Sequence, residues 1–571
     1  MMSFSKPQRR FVAPGFRLDS WDNLEPLFKA LVELEINNSE EFRSWWKDRS
    51  ELESVVSEDG AWRYIEMTRN TADEQRLEAF KFFISEIEPR LAPYSHLLNH
   101  KAIHTEGWDH LLTVPGYLNL KRNVEKEISI FREVNIPIKT EIQTESQKYS
   151  ALTGAMTVEV EGEEKTLQQA GVFMMETDRN LRENVYYKIN ARRIKDQEEL
   201  NNLFDRLIRL RHQVANNSGF ENFRDYMFTA MGRFDYEPRD CFDFHQSVQE
   251  TVVPILDELA LERKQKLQLD QLKPWDKSVD PLGRKPLKPF KSAKDLLEKT
   301  ITCFDRLDPF LGECLRTMQD MGYLDLESRK NKAPGGYNYP LDETGIPFIF
   351  MNATSTVRDM VTLLHEGGHA VHSFTIRDHE LNDFKHPPSE VAELASMSME
   401  LLTIDHWDIY FDNEEDLNRA KKNHLEDIVE TLPWVATIDK FQHWIYENPD
   451  HTVDQRNNTW KTILDDFSDT VTNWDGQEKF RSNLWQKQLH LYEVPFYYIE
   501  YGFAQLGAIA IWKNYKENPK KTLEQYLAAL RLGYTKSIPE IYETAGIKFD
   551  FSKNYILELA EFLKKELEKL N

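Results

Sequence analysis

Val361 to Phe374 reads VTLLHEGGHAVHSF and contains the pattern HExxH as His365, Glu366, Gly367, Gly368 and His369. On an α-helix, residues four apart lie one above the other, so the two imidazoles can share one metal ion. Glu366, one position after the first histidine, projects beside that ion and can take a proton from a water the ion has acidified. The helix has a start signal. Ser355 or Thr356 can cap it, and Asp359, three after Thr356, resembles a capping box. Two glycines inside a helix cost about 1 kcal/mol each relative to alanine. That cost points to close approach of another backbone or of substrate. With 16 His in 571 residues, HExxH arises by chance on the order of 0.05 times per chain.

Zinc needs a third protein ligand and an open fourth position. The continuation HExxHxxGxxH is absent, since its glycine position is His372 and its third histidine position is Thr375. The alternative is a glutamate on a second helix about twenty to thirty residues onward. Pro387, Pro388 and Ser389 open such a segment, PPSEVAELASMSMELL, which offers Glu390, Glu393 and Glu400. Glu393 and Glu400 share a helical face, so one can ligate while the other supports the histidines. Glu390 lies on roughly that face too, and spacing alone does not choose among them. His372 reads as a packed or supporting histidine. Two imidazoles and a carboxylate favour zinc.

Outward from this motif the chain is helical in pattern. Leu27, Phe28, Leu31 and Leu34, then Leu203, Phe204, Leu207, Ile208 and Leu210, recur at three- and four-residue spacings. Met156 to Leu167 (MTVEVEGEEKTL) alternates around Gly162 and predicts a β-hairpin, and Pro347 to Met351 (PFIFM) predicts a short strand. Leu272 to Phe290, with four prolines and four lysines, predicts a surface loop. Asn331 to Tyr339 pairs Gly335 with Gly336. The chain is expected to be mainly α with a small β component. It divides into an N-terminal helical region, 1–185, and a region carrying the chemistry, 186–571.

Composition narrows the class. Net charge is −24, which disfavours phosphate backbones and anionic lipid, so neither nucleic acid nor membrane is an expected partner. Three cysteines without CxxC spacing argue against a disulfide framework and a thiolate zinc knuckle. No apolar stretch follows MMSFSKPQRRF, and Val494 to Trp512, interrupted by Glu500 and Gln505, reads as a buried helix. The expected compartment is the cytoplasm.

TLLHEGGHAVHSF followed by EVAELASMSMELL resembles the zinc oligopeptidases of the thimet oligopeptidase and oligoendopeptidase F family, closest to the Pz-peptidase-like branch. The resemblance extends through GGYNYPLDETGIPFIFMNATSTVRDM upstream and HLYEVPFYYIEYGFAQLGAIAIW downstream, covering roughly residues 330 to 550. The family pattern E-x-x-S-x-x-x-E lands on Glu393, Ser396 and Glu400 and so favours Glu393 as the third ligand. The resemblance implies a two-lobed helical shell enclosing a deep substrate channel, with one zinc at its floor on His365, His369 and Glu393. Such a channel admits short unstructured peptides. Phe348 to Asn352 would then be an edge strand able to pair with an extended peptide.

The implied chemistry is hydrolysis of internal peptide bonds with Glu366 as proton acceptor. Family members stabilise the oxyanion with tyrosines, often joined by a histidine, and the candidates here are His490, Tyr497, Tyr498 and Tyr501, with Tyr501 and Tyr498 foremost. Two departures touch this stretch. Pro495 stands where a histidine usually precedes the Phe-Tyr-Tyr run, and Phe503 stands where thimet-like members have a tyrosine. Two other readings compete: an HExxH metallocarboxypeptidase, for which Arg358 or Arg377 would have to clamp a terminal carboxylate, and a catalytically weak peptide-binding protein.

Overall fold

The three- and four-residue apolar spacing becomes helix along most of the chain in the computed structural model, which describes residues 6–105, 107–333 and 335–570. Among the described residues five short strands interrupt the helices: β1 (Thr157–Val160), β2 (Glu163–Thr166), β3 (Leu324–Glu327), β4 (Tyr337–Tyr339) and β5 (Phe348–Ala353). Two compact units emerge, each from three stretches of chain. Met1–Phe131, Lys288–Ala420 and Gly507–Phe549 form the first; Arg132–Leu287, Lys421–Leu506 and Asp550–Asn571 form the second. Residue 185, the boundary expected from sequence, falls inside the Arg179–Lys195 helix.

In the first unit, the long Ser39–Arg69 helix is started by Asn38, whose side chain accepts from the amides of Glu40 and Glu41. Ala61 and Ile65 on its buried face pack against Leu341, Phe348 and Phe350. They meet a sheet ordered β3–β5–β4, with β5 parallel to β3 and antiparallel to β4. This corrects the expectation of an edge strand at Phe348 to Asn352. β5 is central, both of its edges are paired, and Phe348, Ile349, Phe350 and Met351 are buried.. Strands covered on both faces carry continuous apolar runs, and FIFM is one. The edges belong to β3 and β4, and β4 is the one that lies against the HExxH helix. Gly336 lets the chain entering β4 run close to β5, because a Cβ there would lie 3.2 Å from the Phe350 carbonyl oxygen.

β5 leads directly into the Val357–Ile376 helix that carries HExxH. Thr356 caps it: its hydroxyl accepts from the Asp359 amide at 3.1 Å, and the Asp359 carboxylate accepts from the Thr356 amide at 3.0 Å. The Ser389–Thr403 helix packs across it. A Cβ on Gly368 would sit 2.6 Å from Ser396 Cα and 2.9 Å from the Ala395 carbonyl oxygen. Gly367 faces a side chain instead, with the Phe304 ring at 2.7 Å. Close backbone approach is therefore what Gly368 provides, and room for the Phe304 ring is what Gly367 provides. Tyr526 and Tyr542 hold the second helix from its other flank, donating to the carbonyls of Ala395 at 2.7 Å and Glu390 at 3.4 Å.

In the second unit, β1 and β2 form the expected hairpin, turning at Glu161 and Gly162, both with positive φ. Val158 and Val160 pack on Val185 and Ile189 of the Arg179–Lys195 helix. The proline- and lysine-rich stretch from Leu272 is only partly on the surface. Leu272, Trp275 and Val279 are buried, and the fully buried Asp276 accepts from Arg179 at 2.7 Å and Arg182 at 2.9 Å. Prolines and lysines gave the surface expectation, but paired arginines draw this loop inward.

Gly368→Ala is expected to lose about 1–3 kcal/mol, the range for overpacking a tight contact, in chemical denaturation, and to release metal more readily. Gly367→Ala should be milder, since the Phe304 ring can shift where backbone cannot.

Candidate active site

His365 and His369 project from one face of the HExxH helix, with ring centroids 4.9 Å apart and planes 83° to one another. Glu393 reaches them from the crossing helix. Its Oε2 lies 3.4 Å from His365 Nε2 and 3.8 Å from His369 Nε2. One donor atom from each of the three residues falls within 4.8 Å of the other two. Nitrogen, nitrogen and oxygen donors converging from two part-buried histidines and a buried glutamate fit a divalent metal, and the set matches three-ligand sites that keep a position open. Glu390, though buried, is outside this group; Glu400 takes the supporting place. His365 Nδ1 and Glu400 Oε1 are 2.6 Å apart, which fixes the ring and turns Nε2 toward Glu393. Ser396 hydrogen-bonds the Glu393 carbonyl at 3.0 Å and approaches its carboxylate at 3.4 Å.

The electrostatics follow from this packing. Burial pulls the His365 pKa down, but the Glu393 and Glu400 carboxylates outweigh it and hold the group well above its ordinary value. Burial lowers His369 to about 4, leaving a neutral ring with a lone pair to give. Glu366 is pushed up to about 7, first by burial and then by Glu393 and Glu400. His372, lowered to about 3 by burial, sits in the core with Nε2 unpartnered and takes no place beside the donor set. The β4 edge lies against this helix: Asn338 Nδ2 donates to the Glu366 carbonyl at 3.1 Å.

The second unit gathers the other sequence candidates. His490 lies with its ring 4.8 Å from Tyr498 and 5.8 Å from Tyr501, and Tyr501 is 5.3 Å from Tyr497 and 5.4 Å from Tyr498. Phe503 belongs instead to the core, stacked on Phe551 at 3.9 Å and edge-on to Tyr236 at 5.0 Å. Three residues that sequence reasoning missed hold the loop before this cluster. Arg211, buried in the Gln197–Asn217 helix, donates to the carbonyls of Leu491 and Tyr492 and to the Tyr446 hydroxyl. Arg233 donates to the Phe496 carbonyl and, at 3.1 Å, to Glu500. Gln442 accepts from the Phe496 amide at 2.6 Å, where φ is +68°. An arginine at the core position of an apolar stripe, as Arg211 stands after Phe204, Leu207 and Ile208, is the signal that could have found the first.

No helix among the described residues is long and apolar enough to cross a membrane. The sequence profile of Peptidase family M3 matches residues 172–561, and that of the Peptidase M3 N-terminal domain matches residues 16–113. An oligoendopeptidase F homolog of Borreliella burgdorferi is 24% identical over 72% of this chain and 69% of its own length. The oligopeptidase PepF of Bacillus subtilis is 24% identical over 54% of this chain, the match spanning 46% of that protein. Among solved structures, Pz peptidase A with an inhibitor superposes at a TM-score of 0.90, with 27% identity over 98% of this chain and 99% of that one. A protein described as a putative oligoendopeptidase F superposes at 0.89 with 27% identity over the same shares. A fold shared from end to end, a family profile across most of the sequence, and a converging His–His–Glu donor set lead to one conclusion: this chain belongs to Peptidase family M3 and is a metallo-oligopeptidase.

Proposed function

We propose that the protein is a zinc-dependent oligoendopeptidase that cuts internal bonds of short, unstructured peptides in the cytoplasm, with its chemistry carried by the region 186–571. The observation that carries this reading is the convergence of His365, His369 and Glu393 within 4.8 Å, with Glu400 orienting His365. These three residues would hold the zinc. When bound, the metal supplies Lewis acidity that acidifies a water and polarises the scissile carbonyl.

The remaining steps fall to side chains. Glu366 accepts the water's proton as the water attacks and returns a proton to the leaving amine. The edge of β4, rather than β5, offers main-chain groups to an extended peptide, which gives tolerance of side-chain sequence. Tyr501 and Tyr498, with His490, are the proposed oxyanion donors. No observation favours the carboxypeptidase or peptide-binder readings, and an intact Glu366 argues against the second.

A peptide of about ten residues blocked at both termini is expected to be cut internally, as read by mass spectrometry. Chelation should stop the reaction and added zinc restore it. Products only from peptides with a free terminal carboxylate would sink the endopeptidase assignment. Glu366→Gln should lower kcat by about 10²–10⁴-fold while zinc content stays at the wild-type level. Glu400→Gln, which loosens His365 without removing a ligand, should weaken metal affinity by about 10–100-fold, measured by competition with a chromogenic chelator.

A further inference from the structure

A second group of metal-ligating side chains lies deep in the second unit. Cys241 and His245, four apart on the Pro238–Thr251 helix, face Asp439 and His443, four apart on the Glu414–Glu447 helix. One donor atom from each of Cys241, Asp439 and His443 falls within 4.8 Å of the others. All are essentially inaccessible: Cys241 and Asp439 are 0% exposed, His443 2% and His245 3%. Asp439 Oδ2 accepts from or pairs with His245 Nε2 at 2.9 Å, and His443 Nε2 approaches the same oxygen at 3.2 Å. The rings of Phe242, Phe496 and Phe228 close around His443 at 4.8, 5.5 and 5.9 Å.

Hydrogen bonding leaves this cluster incomplete. Asp439 Oδ1, both ring nitrogens of His443 and His245 Nδ1 have no hydrogen-bond partner. Buried polar atoms are nearly always satisfied, and a buried carboxylate oxygen without a donor is costly. A divalent cation answers the deficit. It would accept lone pairs from Asp439 and His443, and the carboxylate with the Cys241 thiolate would cancel its charge, which burial demands. The thiol proton leaves to solvent as the sulfur binds. Sulfur, nitrogen and oxygen donors together suit zinc rather than magnesium or calcium.

We propose that Cys241, Asp439 and His443 form a second, structural zinc site, with His245 holding the other carboxylate oxygen of Asp439. The site staples two helices of the second unit. It also fixes Gln442, which lies between Asp439 and His443 in sequence and receives the Phe496 amide just before the tyrosine cluster. The proposal is independent of the role assigned to His365, His369 and Glu393.

The test is metal content by mass spectrometry on the full chain, equilibrated with zinc and desalted. The wild type should hold about two equivalents and the His365→Ala/His369→Ala variant about one. That variant loaded with cobalt(II) should show a thiolate-to-metal charge-transfer band in the near ultraviolet, and Cys241→Ser should abolish the band. A wild type holding about one equivalent that persists in His365→Ala/His369→Ala supports this site while counting against the first. A folded His365→Ala/His369→Ala chain, with an unchanged circular dichroism spectrum, that retains under about 0.1 equivalent of zinc and gives no cobalt–thiolate band overturns the proposal. That outcome does not depend on whether Cys241→Ser folds.

Discussion

Two helices crossing at van der Waals contact of their backbones are what the proposed metal centre depends on. HExxH alone supplies two imidazoles on one face, and the third donor has to arrive from another segment at a separation set by backbone thickness. Gly368 removes a side chain that would hold the Ser389–Thr403 helix away, so Ser396 Cα can sit 2.6 Å from where a Cβ would have been. From that contact follow the 3.4 Å approach of Glu393 to His365 and the 2.6 Å bond from Glu400 to the same ring. Helix propensity lost at two glycines is offset by a contact no larger residue permits.

The site was legible in the sequence to the extent that its parts are local. His365, Glu366 and His369 are fixed by helical periodicity, and Thr356 with Asp359 by capping chemistry, so both could be read without any tertiary information. Glu393 could not be separated from Glu390 and Glu400 by spacing, because the distinction lies in how the second helix is rolled against the first. The family pattern made that choice. Strand order failed for the same reason: FIFM announces burial, but which neighbours flank β5 is decided by residues that arrive from 324–327 and 337–339. The Leu272–Phe290 loop misled because proline and lysine report local backbone and solubility, while Asp276 is drawn in by arginines nearly a hundred positions earlier.

Buried cations organise the second unit as glycine contacts organise the metal helices. Arg211 and Arg233 each donate to main-chain carbonyls, Arg211 at Leu491 and Tyr492 and Arg233 at Phe496. A guanidinium presents several donors in a rigid fork, so one side chain can fix more than one turn of an irregular segment. The left-handed backbone at Phe496, just after Pro495, is held by this network together with Gln442. The departure from the family at Pro495 is thus built into a strongly constrained loop, and Phe503 is absorbed by a stacked aromatic core.

The interleaving of the chain has a consequence for how the protein comes into being. The helix bearing Glu393 rests on hydroxyls of Tyr526 and Tyr542, which are translated about 130 and 150 residues after the carbonyls they bind. Contacts of such long sequence separation form late. A nascent chain therefore carries His365, His369, Glu393 and Glu400 well before the flank that seats the second helix exists. Seating of the second helix therefore waits for segments made well over a hundred residues later, so the donor set is a product of late, long-range folding and not of local helix formation alone.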